Sequence, residues 1–298
     1  MSYAGWILLT ASLVGLSCGL IGALLILRRM AMMADAISHT VLPGIVVAYL
    51  VTRELSGVHM LVGAAAAGLL TAVLVQWLHA RGVQQEASIG VVFTALFAIG
   101  VVLIATKVGN VHLDVQHALM GDITFIPWER TELPWIGSVP EAVVVLTVVF
   151  VVLLAAVLLF YKEWKITSFD AALAASLGIP VALMHYVFMT LVSMTAVAAF
   201  DAVGAVMVVA MLITPAAAAY LWTDRLSVMM AISCAFGVFS AFMGYYLALW
   251  LDTSISGSMA FSTGIVFLAS FLFSPKHGLA ARRLLRPRPS RRREGSAS

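Results

Sequence analysis

Blocks of about twenty apolar residues follow one another along this chain, separated by short polar gaps. A block of that length, wound as an α-helix at 1.5 Å per residue, crosses the hydrocarbon core of a bilayer. Nine such segments are read: 6–27, 34–52, 59–79, 87–106, 142–161, 181–199, 203–222, 227–250 and 258–273. The last is short. The stretch 181–222 reads either as a helical hairpin or as a broken, partly re-entrant element around Asp201 and Gly204, which would leave eight spans. Hydrocarbon offers no partner to a bare N–H or C=O, and the segments are too long and continuous for barrel strands. The expected fold class is all-α, a polytopic transmembrane helical bundle. Composition agrees: 62% of residues are hydrophobic and 10% charged, which excludes a water-soluble globule. Cys18 and Cys234 fall inside apolar blocks and read as buried fillers, not a disulfide. The opening MSYAGW lacks a basic region and a cleavage site, so the first block is expected to stay as a helix.

Charge position sets the expected orientation. With the N-terminus outside, Arg28, Arg29, Arg81, Lys162, Lys165, Arg225 and Lys276 fall on the cytoplasmic side, along with the arginines of the tail. Only Arg53, Lys107 and Arg130 fall outside. An N-out, C-in arrangement is therefore favoured. Residues 1–278 read as the membrane domain, and 279–298, rich in arginine, as a disordered cytoplasmic tail drawn to anionic headgroups. Nothing folded accompanies that tail, so it is not read as a nucleic-acid site.

Two connections are longer than a tight turn. Residues 107–141 would be external and carry Asp114, Asp122, Glu129, Glu132 and Glu141 with His112 and His117. His112, Asp114, His117 and Asp122 can gather metal ions, but read first as a polar rim for a protein partner. Residues 162–180 would be cytoplasmic and contain a short helix, Phe169 to Leu177, ended by Gly178 and Pro180. A loop that grows its own helix usually docks something; lying on lipid as an interfacial helix is the alternative.

Ionisable groups inside membrane segments are costly unless paired or wet, and so mark function. In DAISHTVLPG, Asp35 and His39 lie four apart and share one helix face. Pro43 cannot donate to the carbonyl of His39, which frees that oxygen beside the imidazole, with Gly44 next in the chain. Carboxylate, imidazole and bare carbonyl suit a borderline divalent cation. Against this, Asp35 capping the helix and His39 binding backbone would account for the same residues. A second cluster is Asp201 with Gly204, followed by an apolar run in which Pro215 frees the carbonyl of Met211. Asp201 is either a further ligand facing a pore or a solvated residue at a hairpin end. Met207 and Met211 read as packing, and His185 as structural. No Gly-Lys pair occurs, hence no phosphate loop, and no HExxH. Ser38 points about 100° away from its neighbour His39 on a helix, against a nucleophile–base pair. Uphill transport driven by ATP would need another subunit to bind the nucleotide.

DAISHTVLPGI (35–45), EASIGVVF (86–93), HALMGDI (117–123), SFDAALAASLGI (168–179), VGAVMVVAMLITPAAAA (203–219) and FSPKHG (273–278) together resemble the signature segments of the metal-type ABC permeases. These are the membrane subunits of bacterial manganese, zinc and iron importers. The six segments occur in order over almost the whole chain, the tail excepted. Asp35, Leu42 and Pro43 are closer to the manganese/iron branch. The resemblance implies a multi-pass permease of the bacterial cytoplasmic (inner) membrane that works as a homodimer, with a cytoplasmic ATPase dimer that binds the ATP. An extracytoplasmic metal-binding protein would deliver the manganese, zinc or iron. It also implies a coupling helix at 168–178, with Phe169, Asp170, Ala174, Leu177 and Gly178 as its coupling residues. Asp35 and His39 match polar positions of the metal path, and Asp201 departs from an uncharged family position. Pro43, Gly44, Gly204 and Pro215 are the expected helix breaks. A secondary cation-coupled transporter and a non-transporting membrane scaffold are the rival readings.

Overall fold

Each of the nine apolar segments is helical in the computed structural model, which describes residues 3–52, 57–107, 123–128, 130–133, 137–275 and 278. The first four helices are α1 (Tyr3–Leu27), α2 (Ala31–Thr52), α3 (Gly57–Ala80) and α4 (Gln85–Lys107). After the long connection that follows α4 come α5 (Glu141–Leu159), two short helices α6 (Tyr161–Phe169) and α7 (Ala171–Ser176), then α8 (Val181–Val203) and α9 (Ala205–Tyr220). The chain closes with α10 (Leu226–Leu251) and α11 (Ile255–Phe273). Eight of these are long and apolar enough to cross a membrane. Helix α9, with 16 residues, is about 24 Å long and falls short of a hydrocarbon core of about 30 Å.

The core is built around α1, which packs on α5, α8, α9 and α10 and buries Ile7, Val14, Cys18, Ile21, Leu24 and Leu25. Between membrane helices, close contact of small residues replaces the hydrophobic drive available in water. Thus α1 meets α10 backbone to backbone at Gly15 and Gly237, and again at Gly19 and Ser233. Helices α2 and α3 cross at Gly44 and Gly63. A Cβ on Gly44 would strike the Gly63 carbonyl oxygen and lie 2.7 Å from the Ala67 Cβ. The outward apolar side chains of α4 and α5, such as Val102, Val151 and Leu158, are the surface available to lipid.

These crossings fix which ends lie together. Going from Gly15 to Gly19 on α1, the partner on α10 steps back from Gly237 to Ser233, so α10 begins level with the end of α1. Arg28, just past α1, bonds Thr167 and Ser168 of α6. The Ser274 hydroxyl after α11 donates to the Leu221 carbonyl after α9. One face of the bundle therefore gathers the α1–α2 corner, α6 and α7, the α9–α10 turn and the end of α11. Helix α8 leaves that face, and α9 returns to it through Gly204, whose φ of 82° and ψ of 161° belong to a region open essentially to glycine alone. The 181–222 stretch is thus two helices meeting at one residue.

A departure from pure helix lies between α4 and α5. Strands β1 (Arg130–Leu133) and β2 (Gly137–Pro140) pair antiparallel in the register Arg130↔Pro140 to Leu133↔Gly137. They follow a 3₁₀ turn at Ile126–Trp128, whose Ile126 is buried, and the Tyr3 hydroxyl donates to the Thr124 carbonyl beside it. His112, Asp114, His117, Asp122, Glu129 and the tail from 279 onward lie outside the described residues.

Candidate functional site

Helix α1 ends in a 6→1 and 5→2 pair of bonds, Met30 N–H to the Leu25 carbonyl and Arg29 N–H to the Ile26 carbonyl, each 3.0 Å. The pattern requires a left-handed residue, and Arg29 supplies it at φ 56°. The chain reverses in three residues and α2 begins. Its buried side carries Ala34, Ala36, Ile37, Ser38, Thr40 and Val41. Asp35 and His39 project from the other side, 41% and 34% exposed, with His39 Nε2 3.7 Å from Asp35 Oδ1. That spacing is an ion-pair distance longer than a hydrogen bond. Phe93 and Phe97 of α4 flank the imidazole, with ring centroids 5.6 and 5.9 Å away.

The rest of α2 holds this pair in place. The Ser38 hydroxyl donates to the Asp35 carbonyl at 2.7 Å, so it is occupied within its own helix and is no nucleophile for His39. The Thr40 and Thr71 hydroxyls meet at 2.8 Å and tie α2 to α3. Pro43 sits inside α2 and gives the His39 carbonyl no N–H to accept. Gly100 of α4 passes so close that a Cβ there would lie 2.9 Å from Pro43 Cδ.

One carboxylate and one imidazole are half of a four-coordinate set and a third of a six-coordinate one, so the pair alone is an incomplete site for a divalent transition metal. Among the described residues no group of three or more His, Cys, Asp or Glu could hold an ion together. Asp201 does not complete the set. Ile37, Gly68 and Ser193 meet at one level of α2, α3 and α8, and Val41, Ala64 and Val197 at the next. Helices α2 and α8 therefore advance together, which puts Asp201 one turn further on, near Ile45. Ten residues of helix separate that level from Asp35, about 15 Å along the axis. Asp201 is exposed at the far end of α8 and is not a third ligand to the same ion within one chain. Pro215, Met207 and Met211 are buried in α9 as packing.

The second candidate region lies on the face that gathers α6 and α7. The Asp170 side chain caps α7 by accepting from Leu173 N–H at 2.9 Å, so Phe169 ends α6 and the short helix runs Ala171–Ser176. Gly178, at φ 80°, closes it. Ala174 faces inward and is fully buried, whereas Phe169, Leu173 and Leu177, four apart, are 63%, 51% and 61% exposed. Leu173 and Leu177 are spaced for one face of α7, Phe169 stands just before the break at Asp170, and none of the three has a cover within the described chain.

Gly15-Leu16-Ser17-Cys18-Gly19 has the G-x-S-x-G spacing of a hydrolase elbow. It lies in the unbroken middle of α1 with Ser17 fully buried, so it is a packing stripe. Cys18 and Cys234 are both free, and the Cys234 thiol contacts the Leu16 carbonyl at 3.4 Å. Sequence reasoning missed Arg28, Phe93, Phe97 and the Thr40–Thr71 contact. For Arg28, its place in the basic count was the only available signal.

Residues 2–274 match the model of the ABC 3 transport family. The chain belongs to that family. It is a multi-pass membrane transport protein of the bacterial cytoplasmic membrane. It is 56% identical over 284 residues to the manganese transport system membrane protein MntD of Bacillus subtilis (strain 168), covering 95% of this chain and 96% of that one. It is 42% identical over 280 residues to the zinc transport system membrane protein TroD of Treponema pallidum (strain Nichols), covering 94% and 76%. Among solved structures, PsaBC from Streptococcus pneumoniae in complex with Fab superposes with a TM-score of 0.78 at 31% identity, over 95% of each chain.

Proposed function

We propose that this family member is the permease subunit of an ATP-driven importer of divalent transition-metal ions, manganese first and zinc or iron next. The observation that carries the reading is the Asp35–His39 pair, an ionisable half-site on one face of a membrane helix. Two copies of the chain, related by a two-fold axis, would bring two such pairs to one passage and supply four ligands. Carboxylate and imidazole hold Mn²⁺ or Fe²⁺ firmly enough to strip water yet release it, which a thiolate cage would not. The names of the manganese and zinc relatives support the substrate class.

Residues 1–278 form the permease domain in this reading, N-terminus outside and C-terminus inside, with the arginine-rich tail following in the cytoplasm. Helix α7 and its flanks, 168–178, are the coupling helix. The exposed Phe169, Leu173 and Leu177 dock into a cytoplasmic ATPase dimer, which binds the ATP that this chain has no loop to hold. An external metal-binding protein delivers the ion at the opposite face. Hydrolysis then rocks the helices and exposes the passage to alternate sides.

Reconstituted with its ATPase and delivery protein, the complex should accumulate radioactive manganese in vesicles only when ATP is supplied. Asp35→Ala should abolish uptake and leave the amount of assembled complex unchanged. Uptake driven by an ion gradient without ATP would favour a secondary transporter. Normal uptake by Asp35→Ala would remove the site.

A further inference from the structure

Arg28 carries a charge that neither the metal pair nor the docking residues use. It follows the last residue of α1 and is largely withdrawn from solvent, and burial lowers its pKa to about 10. It still holds its proton at neutral pH, yet no carboxylate pairs with it among the described residues. Its guanidinium instead reaches two other elements, α6 and α8. Nε donates to the Ser168 hydroxyl at 3.0 Å and Nη2 to the Thr167 hydroxyl at 2.9 Å, both on α6. The guanidinium carbon lies 4.6 Å from the centre of the Phe188 ring on α8.

The acceptors are themselves fixed. Ser168 and Thr167 donate their hydroxyl protons to the Trp164 carbonyl at 2.6 and 3.3 Å, which leaves their lone pairs turned to Arg28. Trp164 is fully buried between Phe160 and Phe188, and its indole N–H donates to the Met184 carbonyl of α8 at 3.3 Å. The last turn of α6 is therefore one rigid piece with the start of α8. Two residues beyond Ser168, Asp170 caps α7. On the other side of the clamp, Arg29 forms the left-handed corner and Asp35 follows seven residues after Arg28.

We infer that Arg28 is a positioning residue for coupling: its two-pronged grip on Thr167 and Ser168 carries movement of α6 and α7 to the α1–α2 corner, and so to Asp35 and His39. This rests on the coupling role proposed for 168–178. A guanidinium suits the task because its fixed fork meets two hydroxyls at once, whereas an ammonium is a single point on a flexible stem. Plain anchoring of a basic residue at a membrane border would ask for water or headgroups, not for a pair of oriented hydroxyls and a ring.

The test uses the complete transporter in vesicles and measures manganese moved per ATP hydrolysed. Arg28→Gln should lower that ratio about tenfold while hydrolysis itself stays within about a factor of two, as expected for loss of one coupling link. Arg28→Lys should fall between. The double variant Thr167→Val with Ser168→Ala leaves the charge in place and should reproduce the loss. An unchanged ratio in Arg28→Gln and in the double variant overturns the inference, as does loss of the assembled complex in all three variants. Leu173→Asp separates the two readings: it should release the ATPase from the membrane, and if it does not, the docking role of α7 fails whatever Arg28 does.

Discussion

Asp35 lies just beyond the first turn of α2, where the field of the helix end has largely faded, with His39 one turn further along. If the carboxylate is a metal ligand and not merely a polar group, its charge matters more than its shape. Asp35→Asn keeps the shape and should still lower manganese uptake by at least about 10- to 100-fold, the range seen for damage even to groups behind the ligands. Uptake at wild-type level in the Asn variant would show that the carboxylate binds no ion. Arg29 poses a different question. A non-glycine residue in the left-handed region costs about 1–2 kcal/mol, and glycine loses about 0.5–1 kcal/mol through its freer unfolded chain. Arg29→Gly should therefore leave the melting temperature of the purified protein unchanged or slightly raised, and a clear fall would mean that the side chain contributes a contact of its own. Asp35 and His39 are legible in the sequence because two ionisable residues one helical turn apart in an apolar block are too costly to keep without a role. Arg28 is not, because its partners Thr167 and Ser168 stand 139 and 140 residues away and only packing brings them together. Phe93 and Phe97 are hidden for the same reason, as two aromatics among many in a lipid-length block.

At the level of elements, hydropathy locates the eight long helices and the shorter α9 among the described residues, because hydrocarbon leaves the backbone no other choice. Their joints are harder to read. The sequence puts Asp170 inside a helix running from Phe169, and instead its carboxylate caps α7 and breaks the chain there. The β1–β2 hairpin has no readable pattern, since four-residue strands carry too little alternation to stand out. Where helices cross, the sequence shows the glycines without saying which ones matter. Gly44→Ala gains about 0.5–1 kcal/mol of helix preference but drives a methyl into the Gly63 backbone, and overpacking of that kind costs about 1–3 kcal/mol. The crossing should lose, with a lower melting temperature in detergent and less assembled complex. Gly264 of α11 has nothing within 4 Å of the same position, so Gly264→Ala should be neutral or slightly stabilising. Equal behaviour of the two variants would mean that α2 and α3 can slide apart freely.

For the whole molecule, the number of crossings turns on α9. If it spans, the chain has nine crossings and its termini lie on opposite sides; if it only dips in and returns, both lie on one. Its roughly 24 Å is short for a full span, but the packing argues that it joins the two faces. Helix α8 starts beside Trp164, runs away from α6, and hands over at Gly204 to α9, whose end meets Ser274 and leads into α10 level with Arg28. Local thinning of the bilayer or a flanking Arg225 reaching for the interface covers a few ångströms of shortfall at modest cost. In the orientation proposed above from the bias of Lys and Arg, the shared face is cytoplasmic. Single cysteines introduced into a Cys18→Ser, Cys234→Ser background can decide this with an impermeant thiol reagent on sealed cells and on inverted vesicles. Val83→Cys and Thr223→Cys should react only from the cytoplasmic side, and Thr253→Cys only from outside. Reaction of Thr223→Cys from outside, with Val83→Cys still inside, would make α9 re-entrant and reduce the bundle to eight spans. Reversal of all three would turn the whole bundle over and place α7 out of reach of any cytoplasmic motor.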